Sequence, residues 1–203
     1  MKKLCVLLSL LLLLPVFASC DSTIIVSYQD GHLVDKKHNL AYNPAPLNYE
    51  PVSVGEEFAY YKKADIKLYE IIGLEPEKWL TEAYAGSATT IFYSDGEILP
   101  TLREMEPRAV HICVSSNRTM SIATIRDAEI IDKLIDLYEN GESSEYPLVG
   151  STLTCELKFE SALYPCIYYN IIYAIFPEGK FLYDRQTKRA VEIGDLLDKW
   201  VNV

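Results

Sequence analysis

The sequence predicts an α+β fold: a mostly antiparallel sheet with one main helix and two short helices on one face. Segments with alternating apolar and polar residues recur along the chain, which is typical of half-buried strands. Short turn-forming segments join them, and such short connections between successive strands require antiparallel pairing. One longer segment has its apolar residues at helical spacing, which predicts the main helix.

The chain begins with a segment typical of a secretory signal peptide. Lys2 and Lys3 give it a positive start, an apolar run covers residues 4–16, and the small residues Ala18 and Ser19 precede Cys20. The run is shorter than the roughly 20 apolar residues that a helix needs to cross a bilayer. We therefore assign residues 1–19 to a signal peptide that is removed.

The sequence Phe17-Ala18-Ser19-Cys20 resembles the lipobox of bacterial lipoproteins. In that family the Cys thiol receives a diacylglyceryl group, and a peptidase cuts just before it. The resemblance implies that Cys20 is lipidated, that the lipid bilayer is a partner, and that the protein lies on the extracytoplasmic face of the cell membrane. Two or three acyl chains give stable anchoring. Phe17 departs from the usual Leu, Val or Ile, and the alternatives are ordinary cleavage after Ala18 or an unmodified thiol at Cys20.

The mature chain is strongly acidic. Without the signal peptide it has 17 basic and 29 acidic residues, a net charge of −12. Such a body repels nucleic acid, so no nucleic-acid partner is expected. Its length suits one domain, which we divide into a lipid-anchored, turn-rich segment over residues 20–57 and an α+β globular domain over residues 58–203.

The first half of the chain predicts a hairpin, two further strands and a short helix. Leu33-Val34 and Leu40–Tyr42 flank a polar stretch, as in a hairpin. Residues 66–72 alternate in the manner of a strand. Pro76 suits the first turn of a short helix that runs through Ala83. The β-branched and aromatic residues 89–93 favour a strand.

The second half predicts the main helix between strand pairs. Asp127 is a good N-cap, and Asn140-Gly141 is a fitting end for that helix. The strands are expected at Arg108–Val114, Thr119–Arg126, Leu153–Phe159, Cys166–Phe176, Phe181–Tyr183 and Ala190–Ile193. A short helix through Trp200 is expected to end the chain. This ending resembles the C-termini of uncharacterised lipoproteins from Gram-positive anaerobes, a resemblance that implies no activity.

Three cysteines remain beyond Cys20: Cys113, Cys155 and Cys166. Cys155 and Cys166 are the closest pair and lie on adjacent predicted strands, so they could form a disulfide. A disulfide framework normally leaves no odd thiol, which favours three reduced, buried cysteines.

No catalytic motif is recognisable. Ser87 follows a glycine but lacks the second glycine of a Gly-x-Ser-x-Gly elbow. His111 and Cys113 are two apart on one predicted strand and could share a face, but nothing in the sequence supplies the third, orienting group. Packing of that strand is the favoured interpretation.

A polar hairpin carries two of the three histidines. Asp30, His32, Asp35 and His38 surround its turn and could hold a divalent ion. Their spacing matches no known metal motif, so a solvated hairpin is the favoured interpretation, and no cofactor is predicted.

Tyrosine is abundant, with 15 residues, and several cluster near predicted strands. These are Tyr60, Tyr61, Tyr164, Tyr168, Tyr169, Tyr173 and Tyr183. An exposed row of them could stack on sugar rings or anchor a partner protein. The alternative is that tyrosine simply suits half-buried sheet positions.

The export signal, the acidic body and the missing catalytic motif together predict a non-catalytic binding or structural module anchored outside the cytoplasmic membrane. The alternatives are a lipid-anchored hydrolase with an unrecognised site, and an accessory subunit of an envelope or transporter complex.

Overall fold

A computed structural model describes residues 24–84, 87–115, 119–147 and 149–201. In these residues the chain forms sixteen strands and a single helix. The fold is therefore mostly β, and the predicted α+β class with one sheet and three helices is wrong. Cys20 and the signal peptide lie outside the described residues.

Two eight-stranded sheets make up the fold. Sheet A has the order β1-β6-β7-β8-β9-β4-β3-β2, and its strands are β1 (Ile24–Ile25), β2 (Ser27–Gln29), β3 (His32–Asp35), β4 (Leu40–Pro44), β6 (Val54–Tyr61), β7 (Ile66–Ile71), β8 (Trp79–Tyr84) and β9 (Ser87–Ser94). Sheet B has the order β11-β10-β13-β14-β15-β16-β12, and its strands are β10 (Pro107–Ser115), β11 (Thr119–Ile125), β12 (Ser143–Ser144), β13 (Leu153–Ser161), β14 (Ile167–Phe176), β15 (Gly179–Tyr183) and β16 (Ala190–Glu192). The remaining strand, β5 (Tyr49–Pro51), pairs with β14.

Sheet A nearly closes into a small barrel because its two edge strands are consecutive in the chain. β1 pairs in parallel with β6, and β2 pairs with β3 at the other end of the strand order. Only Val26 separates β1 from β2, and its N–H donates to the carbonyl of Tyr60. Closure of this kind removes exposed sheet edges.

The barrel interior is filled by apolar side chains. Val26 and one inward-facing residue from each of β3, β4, β6, β7, β8 and β9 form a cluster of buried residues: Val26, Leu33, Tyr42, Ala59, Leu68, Leu80 and Phe92. A barrel this narrow encloses just enough space for its own side chains.

Sheet B packs one face against helix α1 (Ala128–Asn140). The side chain of Asp127 caps this helix by accepting the N–H of Glu129, and the predicted helix is confirmed. Ile131, Leu134 and Ile135 are its buried residues, and they join Leu157 in the main core. Ile71, Trp79 and Ile91 of sheet A belong to the same core, so the two sheets share one hydrophobic cluster.

Both predicted short helices are wrong. Residues 79–84 form strand β8, which pairs with β7 and β9 and buries Leu80 in the barrel. Tertiary pairing therefore outweighs the local helix signal at Pro76. Residues 194–200 form turns instead of a helix. Only some of the N–H groups here donate to a carbonyl three or four residues earlier in the chain.

Most predicted strands are confirmed. The hairpin of β3 and β4, the pair β10 and β11, the alternating β13, the long β14 and the final hairpin of β15 and β16 all lie where the sequence places them. The predicted boundary between the N-terminal segment (residues 20–57) and the globular domain (residues 58–203) falls inside strand β6.

Candidate functional site: a polar cleft on sheet B

Strand residues alternate between the two faces of sheet B, so one face is apolar and the other is polar over β10, β13 and the start of β14. Towards β15 and β16 the second face carries a small apolar cluster that includes Ala174, Phe176 and Phe181. Leu157 and Phe159 of β13 belong to the core beneath α1. Glu156, Lys158 and Glu160 of the same strand point to the opposite face. Across the sheet, Lys158 lies between His111 of β10 and Asn170 of β14.

A cleft of about 750 Å³ lies over this polar face. One wall is the segment 47–54, which contains β5 and connects the barrel strands β4 and β6. β5 and β15 share one edge of β14: β5 pairs with residues 167–169 and β15 with residues 172–176. The polar lining consists of Glu50, Ser53, Ser115, Thr119, Glu156, Lys158, Asn170 and Arg185.

Lys158 is the central charge of the cleft, with 10% of its side chain exposed. Its Nζ lies 2.6 Å from Glu50 Oε1 and 3.6 Å from Glu156 Oε2. Burial lowers the pKa of Lys158, but the hydrogen bond to Glu50 and the two carboxylate charges outweigh that effect and raise the pKa overall. Lys158 is therefore held as a cation.

Arg185 completes a balanced set of charges. Its Nη2 lies 3.6 Å from Glu156 Oε1, and 42% of its side chain is exposed. The lining thus holds two cations, Lys158 and Arg185, and two carboxylates, Glu50 and Glu156. With its charges mutually compensated, the cleft offers no net attraction for an anion or a cation.

Asn170 carries an unsatisfied acceptor in this lining. The residue is 5% exposed, and its Nδ2 donates to Glu50 Oε2 over 3.2 Å. The opposite amide orientation would place an oxygen against the carboxylate, so the network fixes this one. Among the described residues, the buried Oδ1 of Asn170 has no hydrogen-bond partner. Such an atom is costly unless something donates to it.

The backbone holds Asn170 firmly in place. Its N–H donates to the carbonyl of Asn48 over 2.6 Å, and Asn48 Nδ2 donates to the Asn170 carbonyl over 3.2 Å. Asn48 Nδ2 also lies 3.3 Å from Asp184 Oδ1. The acceptor is therefore rigidly positioned by contacts to the wall segment 47–54.

A second polar cluster lies further along the same face. Glu160 Oε2 lies 2.8 Å from His111 Nε2, and Glu160 Oε1 accepts from Arg108 Nε over 2.8 Å. These two hydrogen bonds lower the pKa of Glu160. His111 Nδ1 lies 3.1 Å from Thr124 Oγ1, so both ring nitrogens are engaged. The Tyr168 ring lies edge-on to the imidazole, with centroids 5.9 Å apart.

The structure brings His111 and Cys113 to one face but does not pair them. The imidazole contacts Glu160 and Thr124 instead of the thiol. Cys113 is buried, and burial raises the pKa of its thiol, which disfavours the reactive thiolate. The side chain of Ser87 lies outside the described residues.

The polar side chains of the histidine hairpin bond to groups within the hairpin itself. The carboxylate of Asp35 accepts the N–H groups of Lys37 and His38 and contacts the His38 ring. His32 Nδ1 contacts Asn43. Within the described ranges, no group of three or more His, Cys, Asp or Glu side chains is placed to hold a metal ion.

The three cysteines are free thiols. Cys155 pairs across the sheet with Tyr173, whereas Cys166 precedes β14 by one residue, so the register keeps these two apart. The expectation of three buried thiols holds for Cys113 and Cys155, whereas Cys166 is only half-buried.

The tyrosines of the sequence cluster do not form a single row. Tyr169 and Tyr173 are buried in the main core, and Tyr164 packs against it. Tyr183 stacks on Tyr146 with centroids 4.1 Å apart. Tyr168 lies on the polar face, and the remaining two, Tyr60 and Tyr61, belong to the barrel.

Sequence reasoning recognised the polar side of β13 but missed the cleft. The one indication of the cleft in the sequence is Asn170, the only polar residue apart from tyrosine within the otherwise apolar run 167–176. Glu50 and Arg185 carry no such signal, because only the fold brings residue 50 and residue 185 to the same face.

Compared with known proteins, the chain has no match among family models, curated proteins or solved structures. Within the described residues, no helix has the length and apolar character needed to cross a membrane.

Proposed function

We propose that this protein is a lipid-anchored, extracytoplasmic binding module without catalytic activity, and that the polar cleft on sheet B is its ligand site. The observation that carries the proposal is the buried, unsatisfied Oδ1 of Asn170 in the lining of a cleft of about 750 Å³. That volume lies within the range of roughly 300–1,000 Å³ typical of small-molecule sites. The anchor is Cys20, on the lipobox resemblance.

The chemistry of the lining favours a neutral ligand with several hydroxyl groups, such as a saccharide. A hydroxyl can donate to Asn170 Oδ1 and accept from a side chain such as Ser115 or Thr119. The charges of Lys158 and Glu50 already compensate each other over 2.6 Å, so a charged ligand would have to break that pair.

The test is titration calorimetry on the mature, detergent-solubilised chain with a panel of neutral mono- and disaccharides. Zwitterionic amino acids serve as the comparison ligands. We expect at least one saccharide to bind, and Asn170→Leu to weaken that binding by about fivefold to a hundredfold, since a lost buried hydrogen bond costs about 1–3 kcal/mol.

Asn140→Leu is the matched control, because Asn140 is exposed at the end of α1, which packs against the face of sheet B opposite the cleft. It should leave the affinity unchanged. Equal affinities for wild type and Asn170→Leu would refute the site, and binding of amino acids but of no saccharide would refute the ligand class.

A further inference from the structure

One end of the barrel, which we call the open end, carries an apolar groove. β6 and β8 run towards this end, and the turns at residues 30–31 and 62–65 lie on it. The groove has a volume of about 230 Å³ and is lined by Tyr28, Leu33, Tyr61, Ile66, Glu82 and Phe92. Leu33 and Phe92 belong to the barrel interior, so the groove is the mouth of the barrel.

Large apolar side chains at this end remain exposed. Tyr28 is 50% exposed, and its ring centroid lies 6.3 Å from that of Tyr61. Ile25, on the neighbouring β1, is 55% exposed. Tyrosine suits a membrane interface because its ring is apolar and its hydroxyl is polar.

The short distance between Cys20 and the barrel restricts which surface can face the bilayer. Ile24 is the first residue of β1, and it pairs with Ala59, two residues before the end of β6 at Tyr61. Four residue steps separate Cys20 from Ile24, and an extended chain of that length reaches at most about 14 Å. An acylated Cys20 therefore holds the β1 side of the barrel, near its open end, close to the membrane.

The open end also lacks the acidity of the rest of the molecule. Its turns at 30–31 and 62–65 carry two aspartates, Asp30 and Asp65, and two exposed lysines, Lys62 and Lys63. Together with Glu82 of the groove lining these charges sum to −1, whereas the whole mature chain has a net charge of −12. Electrostatic repulsion from anionic headgroups is thus weakest at this end.

We infer that the open end of the barrel rests on the bilayer surface, with Tyr28 and Tyr61 at the level of the lipid headgroups. This inference rests on the proposed anchor at Cys20. It leaves sheet B, with its polar cleft, directed away from the membrane.

The experiment uses the full mature lipoprotein in phosphatidylcholine vesicles with brominated acyl chains, which quench nearby tryptophan fluorescence. In Tyr28→Trp we expect the fluorescence of the added tryptophan to fall by at least half relative to unbrominated vesicles. Leu163→Trp is the matched control. Leu163 is 57% exposed. Cys166, three residues later in the chain, lies against Gly73. Gly73 is on the turn that follows β7, at the end of the barrel opposite the open end. The tryptophan added at residue 163 should lose no fluorescence. The native Trp79 and Trp200 are present in both variants.

Vesicle flotation separates failure of the anchor from failure of the docking surface. Wild type should float with the vesicles, and Cys20→Ala produced without residues 1–19 should not. Absence of wild-type flotation, or flotation of Cys20→Ala, would overturn the anchor and the inference that rests on it. Normal flotation with equal quenching at residues 28 and 163 would overturn the docking surface alone.

Discussion

The barrel and sheet B both bury polar side chains, but they satisfy them differently. In the barrel, Asp35 accepts two N–H groups of its own turn, and Thr81 donates to the carbonyl of Thr90 over 3.0 Å. In sheet B, Lys158 depends on Glu50 from a distant segment, and Asn170 keeps an unsatisfied oxygen. The barrel therefore satisfies its buried polar groups locally, whereas sheet B depends on a distant segment for one of them and leaves an oxygen of another unsatisfied.

The largest expected effects test whether the two regions unfold together. Phe159→Ala in sheet B should cost about 3–5 kcal/mol and Leu68→Ala in the barrel about 2–5 kcal/mol, because both side chains are fully buried. Ile71, Trp79 and Ile91 of the barrel share the main core with Phe159, so each variant should lower one common transition. Urea unfolding followed by circular dichroism and tryptophan fluorescence measures this. Two separate transitions, with Leu68→Ala shifting only one, would show that the regions are independent.

The second prediction contrasts a buried cation with an exposed one. Lys158→Met leaves Glu50 and Glu156 without their shared partner in a partly buried cleft, and we expect a loss of about 2–3 kcal/mol. Lys62→Met on the barrel turn is the control and should change the free energy of unfolding by less than about 0.5 kcal/mol. Denaturant melts at pH 7 measure both. A Lys158→Met variant as stable as Lys62→Met would contradict the view that the cleft charges are coupled.

The sequence predicted the features that depend on residues close together in the chain, but not those that depend on contacts between distant residues. The pattern in β13 and the N-cap at Asp127 are local, and both predictions hold. β8 was mistaken for a helix because its pairing with β7 and β9, rather than its own residues, fixes its conformation. The cleft was missed for the same reason: Glu50 reaches Lys158 across 108 positions of the chain. Closure of the barrel through Val26 likewise depends on contacts with β6.

The smallest expected effects compare two buried aspartates, Asp35 in the barrel and Asp184 in sheet B. Each accepts two backbone N–H groups of its own turn. Asp184 also accepts from Tyr138 Oη over 2.8 Å and from Asn48 Nδ2 over 3.3 Å, which ties α1 and the cleft wall to the sheet. Burial raises the pKa of each carboxyl, but hydrogen bonds outweigh burial and lower both pKa values below 3.8. For Asp35 the strongest of these is with the His38 ring, followed by the turn N–H groups, and for Asp184 it is the one from Tyr138.

We therefore expect Asp184→Asn to cost about 2 kcal/mol and Asp35→Asn about 1 kcal/mol at pH 7, because only Asp184 joins separate elements. A carboxyl with a lowered pKa in the folded state stabilises the protein above its unfolded pKa, near 3.8, and this contribution is lost as the pH falls through the lower folded value. The difference between wild type and each variant should thus shrink below about pH 4 in urea melts. Asp184→Asn should also weaken saccharide binding, since Asn48 holds Asn170 in place, whereas Asp35→Asn should not. Equal effects of the two substitutions on binding would mean that the wall segment 47–54 does not position the cleft.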